Sequence, residues 1–118
     1  MTEFQPGFYQ HFKGGIYLAH GLGEYTPIVP TDTLFTVAKH CDSLLGVGVY
    51  KNEHGGNFVL NGNGSTGLLQ VVYQALYGEG NFWVRELGDF NGNKTLDSGE
   101  EVERFRFLGT EFPSKFLG

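Results

Sequence analysis

At 118 residues with one cysteine, the chain is sized for a single domain, expected to span 1–118, and cannot form an internal disulfide. Thirteen acidic against eight basic side chains leave a net charge of −5. That argues against a protein that coats duplex nucleic acid, because neutralising phosphates takes a basic surplus.

No apolar run reaches membrane-spanning length, and MTEFQPGFYQHFK lacks the apolar stretch of a signal peptide. With the lone Cys41, this gives the expectation of a soluble chain in a reducing cytoplasm, without a membrane partner. Nineteen glycines beside eleven Phe and six Tyr favour strands joined by tight turns, and helix formers such as Ala and Met are scarce. Two-residue alternation broken every eight to twelve residues by Gly or Asn predicts a mainly all-β fold: a meander, sandwich or small barrel.

In chain order, GFYQHFKG is the first predicted strand, with Phe8, Gln10 and Phe12 on one face and Tyr9, His11 and Lys13 on the other. Gly14-Gly15 turns the chain into IYLAHGL. GEYTPIVPTD, with Pro27 and Pro30, reads as an irregular loop. TLFTVAKH at 33–40 reads as a strand. A short helix over 31–45 capped by Thr31 or Asp32 is the alternative, disfavoured by its β-branched residues.

Leu45–Tyr50 and Asn57–Leu60 form a predicted hairpin around Gly55-Gly56, and NGNGSTG at 61–67 is a loop. The clearest pair follows. In 71–77, Val71, Tyr73, Ala75 and Tyr77 share a face; GEGN turns the chain; in FWVREL, Trp83, Arg85 and Leu87 oppose Phe82, Val84 and Glu86. EVERFRFL is a last strand, and the tail residues Phe112, Phe116 and Leu117 are expected to dock on the barrel.

GFYQHFKGGIY (7–17), VVYQALYGEG (71–80), WVREL (83–87) and VERF (102–105) together resemble a small bacterial and phage domain of unknown function. The resemblance implies an SH3-like β-barrel, here elaborated by an inserted hairpin and loop region within 18–69. It implies no activity and no catalytic residues, and a fold alone would supply neither.

Four features could carry chemistry. In DFNGNKTLDSGEE, residues Asp89, Asn91, Asn93, Asp97 and Glu100 occupy the oxygen-ligand slots of a twelve-residue calcium loop. Lys94 stands where that loop needs Gly, and strand-like flanks favour a polar hairpin, so no metal and no cofactor is expected. His11, His20, His40 and His54 lack ligand spacing. Cys41 beside His40 suggests a nucleophile pair, but strand neighbours point to opposite faces. Arg104 and Arg106 share a face, read as a solvated edge in preference to a nucleic-acid ridge.

The last feature is an aromatic and basic set: Tyr9, His11, Lys13, Tyr17, Tyr73, Tyr77, Trp83 and Arg85. These residues form either a recognition platform or the barrel core with cations at its rim. The expected role is a non-catalytic module binding a protein or small ligand through that surface. Nucleic-acid or nucleotide binding, and an enzyme of unrecognised class, are the alternatives.

Overall fold

The long second strand organises the molecule, because one edge of it serves two neighbours in succession. In this computed structural model, which describes residues 4–28, 30, 33–52, 55–62 and 67–111, that strand is β2 (Ile16–Thr26), preceded by β1 (Gly7–His11). Then come β3 (Thr33–His40), β4 (Gly46–Lys51), β5 (Phe58–Asn61), β6 (Leu69–Ala75) and β7 (Phe82–Glu86). A helical turn α1 (Leu87–Phe90) leads to β8 (Asn93–Thr95), β9 (Glu101–Glu103) and β10 (Phe105–Gly109). Thr31, Asp32, His54, Phe112, Phe116 and Leu117 lie outside the described residues.

One edge of β2 pairs with β1 through residues 16–19 and then with β5 through residues 23–26. Its other edge pairs with β6 over residues 17–24. Strands β2-β5-β4-β3-β7-β6 therefore close on themselves as a six-stranded barrel, and β1 and β10 extend it. The mainly-β expectation holds.

Residues 27–68 supply β3, β4 and β5, and this gives the sheet a second buried face. Val71 and Tyr73 of β6 pack with Tyr9, Ala19, Phe90 and Phe105 in one core. Val72, on the opposite face, packs with Val47, Val49, Leu60 and Val84 inside the barrel. That explains why LQVVYQA has four consecutive buried residues from Gln70 to Tyr73, where a one-sided sheet would alternate.

Three expectations need correction. GEYT continues β2 through Thr26 rather than joining the loop, because β5 offers it a parallel partner. FWVREL ends at Glu86, and Leu87 and Phe90 fold back as a helical turn that drives both into the first core. EVERFRFL is two strands broken at Arg104, whose N–H donates to Gly92 O at 3.1 Å and whose carbonyl accepts from Phe12 N–H at 3.0 Å.

The hairpin of β4 and β5 and the strand at 33–40 stand where they were expected. Gly7 shows why β1 starts as it does: at φ +148°, a Cβ there would meet Gly109 O at 2.6 Å. No helix among the described residues is long and apolar enough to cross a membrane.

Candidate functional site

Five of the eight aromatic and basic residues meet around one recess. His11, Tyr17, Tyr73, Trp83 and Arg85 line a cavity of about 160 Å³, together with Cys41 and Phe105. Antiparallel pairing sets Tyr73 opposite Trp83 and Val71 opposite Arg85, so two-residue alternation puts all four side chains on one face. β2 delivers Tyr17 to the same face beside Ala75.

The other three fall elsewhere. Tyr9 is core: its ring packs edge-on against Phe90 at 5.0 Å, and its hydroxyl donates to Gln5 O at 2.7 Å. Tyr77 lies beyond the end of β6, exposed, with its hydroxyl bonded to that of Tyr17 at the recess edge. Lys13 lines a neighbouring cavity with His11 and Arg85. Tyr73 thus belongs to the core and also lines the recess, whereas Tyr9 belongs to the core and does not reach the recess.

Arg85 is the charged centre. Its Nε donates to the Tyr73 hydroxyl at 3.4 Å, and its Nη1 is paired with Asp89 Oδ2. Arg104 Nη2 approaches the other oxygen of the same carboxylate at 3.7 Å. Burial disfavours the Arg85 charge, but Tyr73, Cys41 and Asp89 outweigh it and hold the guanidinium more firmly protonated than usual. The Phe105 ring lies 5.9 Å from the guanidinium carbon, a cation–π distance.

The neutral groups are tuned by burial. The Tyr73 hydroxyl is pushed up to about 12, chiefly by burial, and Tyr17 is raised by burial and its bond with Tyr77. His11 is lowered by burial first, then by Arg85, Lys13 and Arg104. Its Nδ1 accepts from Lys13 N–H at 3.2 Å, so the neutral ring keeps its proton on Nε2 as a donor. The Cys41 thiol is pushed up to about 11 by burial and is therefore a protonated thiol at neutral pH.

Neither metal reading gains a ready site. Asp89 is taken by two arginines and stands in α1, while Asn93 is in a strand and Asp97 and Glu100 in its turn. Those carboxylates do not converge, and the only His/Cys/Asp/Glu group close enough to hold an ion among the described residues is His40, Cys41 and Asp42.

Those three come together because β3 ends at His40 and the chain turns, so the opposite-faces argument fails there. The His40 Nδ1 lone pair already accepts from Asp42 N–H at 3.2 Å and Ser43 N–H at 3.5 Å. A cation bound at Nδ1 would displace both. Arg106, read as a solvated edge, donates to Gln10 Oε1 at 2.7 Å.

Residues 63–107 match a family described as a protein of unknown function, DUF1653. VVYQALYGEG, WVREL and VERF all lie inside that span, so the resemblance seen in those blocks is borne out. Among solved structures, a DUF1653 protein from Bordetella bronchiseptica is similar at 22% identity, covering 96% of this chain and 97% of its own, with a TM-score of 0.48. No curated protein matches. The recess therefore has to be read from its own chemistry.

Cys41 and Phe105 are the recess residues that the sequence reading missed. Phe105 sits in the VERF block and alternates onto the same core as Tyr73. Cys41 arrives through the parallel pairing of β3 with β7, where Lys39 and His40 face Trp83 and Val84, and no local pattern announces that contact.

Proposed function

We propose that this barrel is a non-catalytic binding module whose recess accepts one small planar group of a protein or small-molecule partner. The observation that carries this reading is the convergence of aromatic side chains from β2, β6, β7 and β10 around a guanidinium. Aromatic walls offer stacking faces, and Arg85 offers directed donors to a carbonyl or carboxylate. A volume of about 160 Å³ is below that of drug-sized pockets, roughly 300–1,000 Å³, and suits a single ring or side chain. The protonated Cys41 thiol, held up by burial, favours recognition over nucleophilic chemistry.

Trp83 is the chain's single tryptophan and lines the recess, so its fluorescence and its indole N–H resonance report occupancy. Titration with single-ring probes (phenol, benzoate, indole) is expected to give saturable changes at Trp83 in the millimolar range, weakened in Tyr17→Ala and Arg85→Lys. If no probe saturates, or if both variants stay folded and bind as before, the recess is only packing.

A further inference from the structure

We propose that the cavity of about 500 Å³ beside the recess, between the β1–β2 turn and the β8–β9 hairpin, is an oxyanion site for the phosphate group of a small molecule, held by Lys13, Arg85, Lys94 and Arg104. Four cations against one carboxylate, Asp97, line this cavity in a chain whose net charge is −5. That local excess runs opposite to the rest of the surface.

The four cations divide into two fixed and two adjustable. Arg85 and Arg104 are mostly buried and share Asp89, which sets their planes while cancelling one of their charges. Lys13 and Lys94 are exposed and make no ion pair among the described residues. Long flexible ammonium groups of this kind can close on an anion that the guanidinia position.

Two further observations concern the polar groups of the lining. Arg104, which lines the basin, keeps a buried Nε without a hydrogen-bond partner, and an unpaired buried donor is costly. His11, on the same wall, keeps its Nε2 proton as a donor, and its titration is held down by burial and by Arg85, Lys13 and Arg104, as a positive local field requires. Thr95 also lines the basin. A concave basin on an acidic molecule suits a small phosphorylated compound better than a polymer, whose remaining phosphates the net charge would repel.

His11 and Arg85 line both the basin and the aromatic recess. A ring joined to a phosphate could therefore occupy the two together. That extension rests on the proposed function; the basin itself does not.

The experiment is an amide-resolved NMR titration with inorganic phosphate and, separately, phenyl phosphate, each against sodium chloride at matched ionic strength. Saturable phosphate shifts are expected at Lys13, Lys94–Asp97 and Arg104, weakened at least tenfold in Lys13→Ala/Lys94→Ala, whose spectrum also checks folding. Tighter binding of phenyl phosphate would support both sites.

If phosphate binds and the ring adds nothing, the basin stands and the recess reading falls. If phenyl phosphate shifts only the recess and inorganic phosphate does not saturate, the oxyanion site is wrong. Shifts reproduced by chloride, or unchanged affinity in the double variant, would overturn it as well.

Discussion

Arg85 and Tyr73 sit diagonally on adjacent strands, and the Arg85 Nε donates to the Tyr73 hydroxyl at 3.4 Å. The bond fixes the guanidinium as a shared wall. It borders the aromatic recess, the cationic basin, and a third cavity of about 490 Å³ where Asp42, Glu86 and Asp89 collect. Arg85 and Arg104, which line both larger cavities, thus separate a basic side from an acidic one, with Asp89 tying them to the acidic side.

Asp89→Asn tests that arrangement. Asp89 is partly exposed at its side chain, 42%, so its ion pairs are screened and the loss is expected to be only about 1 kcal/mol. Phosphate affinity should move the other way, rising several-fold, because two guanidinia lose their competing carboxylate. Chemical denaturation and the phosphate titration read the two effects separately. A fall in both would mean that Asp89 organises the basin more than it competes for it.

Acid and alkaline stability follow from opposite shifts. His11 titrates below its ordinary 6.5 in the folded chain, so the unfolded chain binds the proton more readily. Its contribution is fully present above about pH 6.5 and is lost as pH falls through the folded value. Tyr73 is raised to about 12, so its contribution is present below about pH 10 and is lost as pH rises toward 12.

Melting temperature against pH should therefore decline on both sides, with a shallower acid limb in His11→Gln and a shallower alkaline limb in Tyr73→Phe. Phosphate bound beside Lys13, Arg85 and Arg104 should also raise the His11 pKa, which its ring C–H resonances report.

Much of this was legible because alternation is local. Residues 71–87 assign Tyr73, Trp83 and Arg85 to one face without any knowledge of the rest of the chain, and the face is where the recess lies. What was not legible depends on distant partners. Pro27 reads locally as an early end to β2, but β5 pairs with Gly23–Thr26 up to its edge. Cys41 enters the recess only because β3 runs parallel to β7. Likewise, Asp89 looks like a ligand in sequence and proves to be a partner of two arginines.

The turn from β3 to β4 holds the one non-glycine residue with positive φ among the described residues, Leu44 at 62°. Left-handed backbone costs a branched L-residue roughly 1–2 kcal/mol, and glycine gives back about 0.5–1 kcal/mol of that in the unfolded state. Leu44 is 61% exposed, so little packing is lost. Leu44→Gly is expected to stabilise the chain by about 0.5–1 kcal/mol in urea unfolding. A destabilised variant would show that Leu44 packs in solution.

Phe90 connects the helical turn to the recess from behind. It is fully buried, stacks on Phe105 with centroids 4.3 Å apart at 8°, and meets Tyr73 edge-on at 5.4 Å. Phe90→Ala should cost about 3–5 kcal/mol, a large part of the stability of a domain this size. Phe90→Leu should cost under about 2 kcal/mol, because most of the volume stays filled. The informative comparison is at the recess. Tyr73 and Phe105 both lean on Phe90 and both line the cavity, so Phe90→Leu should weaken single-ring probes at Trp83 several-fold while leaving inorganic phosphate affinity unchanged. If both affinities fall together, the basin depends on the same packing as the recess and the two cannot be treated as separate sites.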